Sequence, residues 1–280
     1  MSAVAAWWRR GVPPAVKVVY LLLLANGLPA LVLLTFKPGS TDELFVWTVQ
    51  PEASAHLLAA MYANALLLAA LGIVQPGWAQ ARVTLVLIAL FSLLATAVTF
   101  VHLDPFLAHP WYHLGYWLSM YLILCVVAPV TFVVYERREG GHLAVEVPLG
   151  GVQRVIAGAT AAGLAGVGAA LLAAPGQVAD AWPWTLTPLV GRLVGVWLVS
   201  LGAAHAWALW DGDARRTKAL FSADLPTAAL LALVPLAHPS AVDGPLLLYV
   251  AVAAVLAASG AAALARRAAP VRTRRDAATA

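Results

Sequence analysis

The sequence predicts an all-α integral membrane protein with eight transmembrane helices, arranged as two parallel tandem four-helix repeats. Three observations carry this. The 280 residues are 62% hydrophobic and 11% charged, with a mean hydropathy of +0.85, far from the roughly 45–50% apolar and about 25% charged composition of soluble domains. Apolar runs of about 20 residues, enough to carry a helix across a bilayer, recur along the whole chain. Positions 137 residues apart also match without gaps over a long stretch, as Lys17 does with Arg154. The runs are continuous and do not alternate, which argues against barrel strands.

The elements follow in order. Residues 1–12 form a short segment containing Arg9 and Arg10. The first span, 15–36, leads into Lys37-Pro38-Gly39 and not into a small-residue cleavage site, so it is expected to stay in the chain. The second span is 52–74 and the third 83–103. Thr84, Ser92, Thr96 and Thr99 of the third, with Asn26 of the first, are expected to make interhelical hydrogen bonds. The fourth span, 114–135, holds the lone Cys125, expected as a small buried hydrophobe and unable to form an internal disulfide. A polar linker at 139–149 follows. In the fifth span, 152–174, Gly158, Ala162, Gly166 and Ala170 recur every four residues, with Gly163 and Gly168 beside them. These predict a close-packing face, as do Gly191 and Gly195 in the sixth span, 189–210. Asp211 and Asp213, followed by Arg215 and Arg216, read as a solvated turn before the seventh span, 219–238. The eighth span, 245–265, ends at Arg266 and Arg267, and a basic tail occupies 269–280.

Charge sets the orientation. Fifteen of the 17 Lys and Arg residues fall at one end of this map, leaving only Lys37 and Arg192 at the other. The excess of cations marks the cytoplasmic side, which predicts a bacterial inner-membrane protein with both termini in the cytoplasm. The basic surplus then reflects orientation and contact with anionic headgroups of the lipid bilayer, and does not point to nucleic acid. Tryptophan fits the same map, because its ring favours the headgroup level. Trp7, Trp8, Trp78, Trp207 and Trp210 fall near inner ends, whereas Trp47, Trp111, Trp182 and Trp184 fall near outer ones. Trp117 and Trp197 lie deeper and read as packing residues.

The repeat covers 13–138 and 150–268. Pro38-Gly39 matches Pro175-Gly176, Trp47-Thr48 matches Trp184-Thr185, and Pro51 matches Pro188. With small deletions the register continues to His102 and His238, then to Arg137-Arg138 and Arg266-Arg267. Four spans per unit give both halves the same orientation, related by an axis along the membrane normal.

Polar groups at membrane depth are costly and so mark candidate sites. Five histidines, His56, His102, His109, His113 and His238, fall at the end opposite the cations. Glu52 lies one turn before His56 on the same helix face, and Asn64 extends that stripe two turns inward. The segment TFVHLDPFLAHPWYH places His102, Asp104, His109 and His113 within twelve residues. Such a group can ligate a divalent metal, exchange protons as acid and base, or supply an axial ligand to a haem within a four-helix unit. No spacing such as His-Glu-x-x-His selects among these, and a structural role at the interface is the alternative. Arg192 suits an anionic headgroup, carboxylate or phosphate; snorkelling or pairing with Asp180 is the other reading.

No glycine-rich phosphate loop stands in a strand–helix context, no Ser-His-Asp grouping is suggested, and no late span carries a lysine for retinal. Three functional readings stay open. One is a protein that binds or moves a lipid or small apolar solute through a cavity between the repeats, with Glu52, His56, Asn64, Arg192 and His238 facing the ligand from a polar outer vestibule. Another is a membrane-embedded enzyme using the outer His, Asp and Glu cluster. The third is an accessory subunit bound to a protein partner.

The stretches WPWTLTP at 182–188 and VHLDPF at 101–106, with Trp117, Tyr121 and Pro129, resemble bacterial eight-helix membrane proteins without an assigned activity. That resemblance implies the fold and nothing about chemistry. The architecture of two parallel four-helix units is also similar to haem A synthases. Here, however, Leu57 and not arginine follows His56, the second half lacks a deep histidine pair, and no outer cysteine pair exists, so haem ligation is not carried over.

Overall fold

In a computed structural model, which describes residues 7–8, 10–140 and 143–268, eight helices are long and apolar enough to cross a membrane. We label them α1 (Pro14–Phe36), α2 (Glu52–Ile73), α3 (Trp78–Val101), α4 (Trp111–Tyr135), α5 (Gly151–Ala173), α6 (Pro188–Asp211), α7 (Lys218–Ala237) and α8 (Leu247–Ala268). No strand occurs among the described residues. Arg9 and the tail at 269–280 lie outside them.

Local chemistry sets the helix ends. Pro14 opens α1 from its first turn, where a missing N–H costs nothing. The Thr187 hydroxyl accepts from the Val190 N–H at 3.3 Å to cap α6, and Gly212 ends that helix at φ 68°, a left-handed turn suited to glycine. Helix α3 begins at Trp78, five residues before the expected start. Its early Arg82 finds partners inside the protein, so the charge need not mark the edge of the span.

Helices α2, α3, α6 and α7 form the centre: half or more of their apolar stretch is buried, against a third or less in α1, α4, α5 and α8. Within the first half α1 packs on α2 and α3 on α4, with α1 meeting α4. Within the second, α5 packs on α6 and α7 on α8, with α5 meeting α8. The halves meet along two seams, α2 against α7 and α3 against α6.

Several expectations change on contact with this geometry. Gly163, Gly166, Ala162 and Ala170 point outward on α5, and a Cβ at Gly163 or Gly166 meets nothing within 4 Å. The close-packing face is instead Ala161, Leu164, Gly168 and Leu171. A Cβ at Gly168 lies 2.8 Å from the Gly195 carbonyl oxygen, and one at Gly202 lies 2.8 Å from the Ala165 nitrogen. Ser92, Thr96 and Thr99 turn back to the carbonyls of Ile88, Ser92 and Ala95 on their own helix, and Asn26 does the same to Leu22, because a hydroxyl or amide in a helix reaches the preceding turn. Thr99 also bonds across helices, accepting from the Trp117 indole at 2.8 Å, and the Asn26 carbonyl accepts from the Tyr116 hydroxyl of α4 at 3.1 Å. Cys125 is half-buried and bonds the Leu122 carbonyl.

Tryptophan divides differently too. Trp111 and Trp210 are exposed as a headgroup belt requires, but Trp47, Trp182 and Trp184 are buried. Trp47 stacks with Phe45, Phe106 and Trp117, and Trp184 with Trp182 and Tyr249. Aromatic area this large is worth more packed than solvated.

Candidate functional site

At the histidine end each seam is closed by a polar contact that crosses between the halves. On the α2/α7 seam, His56 Nε2 points at the Thr35 carbonyl at 3.1 Å and Nδ1 lies 2.6 Å from His238 Nε2. A carbonyl only accepts, so Nε2 carries the hydrogen of His56, and the bare Nδ1 receives the His238 Nε2–H. On the α3/α6 seam, Arg192 Nη1 donates to His102 Nε2 at 2.5 Å, while its Nε donates to the Leu172 carbonyl at 3.1 Å. Asp180 is not ion-paired with Arg192. The two matched histidines, His102 and His238, thus do the same job on opposite seams.

Burial and then the Arg192 charge hold the His102 imidazole below its ordinary value. Burial and the neighbouring His56 lower His238, against the opposing pull of Glu52. Burial and His113 lower His109, against Asp42. A depressed histidine binds fewer protons folded than unfolded, so stability is complete above the unfolded value of about 6.5 and declines as pH falls through the folded one. We expect the melting temperature to drop between neutral and mildly acid pH, and the drop to shrink in His102→Gln. An unchanged acid drop in that variant counts against His102 as a source.

Deeper in the molecule, Asn64 donates to the Thr227 hydroxyl at 2.8 Å and accepts from the Trp197 indole at 3.2 Å, joining α2, α7 and α6. Beside this tie, under His56, a groove of about 200 Å³ runs between α1, α2 and α7. Leu31, Ala63, Leu230 and Val234 are among its walls, and His56 and Thr35 are the polar residues lining it. A smaller apolar cavity of about 50 Å³, lined mainly from the first half with Leu193 and Trp197 of α6, adjoins the other seam, and an open apolar groove of about 810 Å³ lies between α7 and α8.

The remaining candidates are dispersed. Asp104 is exposed in the short helix Leu103–Leu107. His109 Nε2 sits 3.4 Å from the Thr48 hydroxyl, with the His113 ring 6.0 Å away. Glu52 is exposed, its Oε1 lying 2.9 Å from where a Cβ on Gly39 would stand. Among the described residues no three His, Cys, Asp or Glu side chains converge on a metal-sized space. His102, Asp104, His109 and His113 therefore do not fit a metal centre, and Arg192 places a positive charge against the first of them. Nor does His56–His238 fit an iron, since the rings bond each other directly.

The basic end holds what sequence spacing alone did not reveal. Asp211 is buried and serves two guanidiniums: Arg82 Nη2 bonds its Oδ1, and Arg216 Nε bonds its Oδ2 at 2.8 Å. Arg82 also donates to Glu136 at 2.7 Å, where the Trp78 indole donates at 3.1 Å. Asp213, 1% exposed, accepts from the backbone N–H groups of Glu146, Val147, Arg215 and Arg216 at 2.7–3.3 Å. Its burial opposes ionisation, yet these four donors hold the carboxyl below the usual range. The expected solvated turn is thus an interior network that fastens the 143–149 linker to α6.

No protein-family model, curated protein or solved structure matches the chain.

Proposed function

We propose that the protein binds the chain of a lipid, or a small molecule equally apolar, in the groove between α1, α2 and α7. The His56–His238 pair then meets the polar end of the ligand. The observation that supports this reading is the groove itself: apolar along its length, walled by both halves, and lined at one end by His56, which is bonded to His238. Its volume is below the roughly 300–1,000 Å³ of pockets for drug-sized molecules, which suits one slender chain.

The duplicated plan supports an unequal division of labour. Ala59, Ala60 and Ala63 leave the groove open, whereas Val196, Trp197 and Ser200 stand at the positions 137 residues on. In the orientation favoured by the cations, the histidine end faces away from the cytoplasm and the ligand enters from the outer leaflet. Arg192, on the opposite seam, has no carboxylate partner among the described residues, which suits contact with an anionic headgroup.

Native mass spectrometry of the purified protein tests this. The wild type is expected to retain lipid, Ala63→Leu to lose it at least tenfold, and Leu236→Ala, at an exposed position, to retain it. Equal retention in Ala63→Leu overturns the groove as the binding place. Stoichiometric recovery of another protein, with no lipid, favours an accessory subunit.

A further inference from the structure

The second half contains a polar cluster that neither the seams nor the groove explain. His205 on α6, Asp224 on α7 and Ser259 on α8 meet in the interior, with the first two fully buried and Ser259 nearly so. His205 Nδ1 faces the Leu201 carbonyl at 2.9 Å, and its Nε2 faces Asp224 Oδ2 at 3.0 Å. The Ser259 hydroxyl donates to the same Oδ2 at 2.5 Å. Asp224 Oδ1 is buried and has no partner among the described residues.

The Leu201 carbonyl can only accept, so Nδ1 carries a hydrogen. One further proton lies between Nε2 and Oδ2, on the imidazole or on the carboxyl, and with it the pair is neutral overall. A purely structural tie would satisfy both carboxylate oxygens, since an unmet acceptor in the interior costs about 1–3 kcal/mol. Oδ1 is left bare instead.

We propose that His205, Asp224 and Ser259 form an intramembrane proton-binding site, exchanging one proton with water at the basic end. On release, the shared proton leaves as hydronium, and Nδ1–H imidazole remains beside a carboxylate. On uptake, hydronium returns it to the pair. Helical rise places His205 about 9 Å from the end of α6, so the path is short. At that end Lys17, Arg82 of α3 and Arg216 are buried cations, the two arginines already paired with Asp211 and Glu136. Of the other elements, α7 contributes the Phe221 ring, 5.8 Å from that of His205, and α2 the neutral Asn64, bonded one turn further along α7. No other ionisable side chain is bonded to the pair among the described residues.

The site is asymmetric. Leu68 stands 137 residues before His205, and Ile88 stands 136 before Asp224. The first half keeps apolar residues where the second holds this cluster.

Infrared difference spectroscopy of the purified full chain, stepped from mildly acid to mildly alkaline pH, reads the proton directly. The wild type is expected to show a carboxyl band that changes with pH, shifts in frequency in Ser259→Ala and vanishes in Asp224→Asn. Dye-monitored release after a base jump should fall by one proton per chain in Asp224→Asn and in His205→Gln. A wild type with no pH-dependent carboxyl band assignable by Ser259→Ala overturns the proposal, and so does undiminished release in folded Asp224→Asn. The Ser259→Ala comparison holds even if the charged-pair variants do not fold.

Discussion

Asp211→Asn is expected to destabilise the protein by about 3–5 kcal/mol, the usual consequence of removing one partner from a buried ion pair. The reason is that one buried carboxylate bonds both Arg82, 2% exposed, and Arg216, 6% exposed, while Asp213 approaches Arg216 only to 3.8 Å. Asparagine preserves the shape and one acceptor but removes the one charge that both guanidiniums bond directly. Glu136 compensates only Arg82, and it is partly open to solvent. The measurement is thermal or denaturant unfolding in detergent, with Arg215→Ala as the comparison. Arg215 pairs with Glu146 where both side chains are exposed, so its loss should cost less than about 1 kcal/mol. If both variants unfold alike, Asp211 does not carry the load assigned to it.

Gly195→Val should cost at least about 3 kcal/mol, at or beyond the upper end of overpacking penalties. The contacts forbidding a side chain there are backbone atoms: a Cβ stands 2.8 Å from the Gly168 carbonyl oxygen and 3.1 Å from the Leu172 nitrogen. No rotamer change can relieve that, so α5 and α6 must separate along their length. Gly163→Ala, on the outward face of α5, meets nothing within 4 Å and should change stability by no more than about 1 kcal/mol. Circular dichroism melts of the two variants distinguish the faces, and a Gly195→Val protein as stable as wild type refutes the close approach.

That pair of glycines also shows which information local sequence carries. Eight spans were legible because an apolar run of sufficient length has few other uses. The small-residue stripe was misleading: a four-residue step overshoots the helical turn by about 40°, so three steps drift about 120° around the axis. Gly158 and Ala170 cannot then serve one contact line, and the face that packs is spaced at 161, 164, 168 and 171. Asp224, the one acid of its helix, carries the signal of a charge at membrane depth, but its partners lie 19 and 35 residues away on other helices, so its role needs the fold. His56 and His238 were each conspicuous, but their pairing spans 182 residues and needs the fold. Asp211 and Asp213 look like surface residues beside Arg215 and Arg216. Only the return of the linker over that turn encloses them.

The buried indoles at the histidine end bear on the proposed duplication. Trp184 donates to Ser54 at 3.1 Å across the halves. Its counterpart Trp47 has no acceptor among the described residues, and the position matching Ser54 is Gly191. If one ancestral unit first met an identical copy of itself, the interface was isologous and every such bond came in pairs. On that reading covalent fusion would end the obligation, because each seam could then mutate alone. A hydroxyl present on one seam and absent from the other is what an interface freed from symmetry accumulates. The two imidazole clasps and the one-sided proton cluster belong to the same pattern.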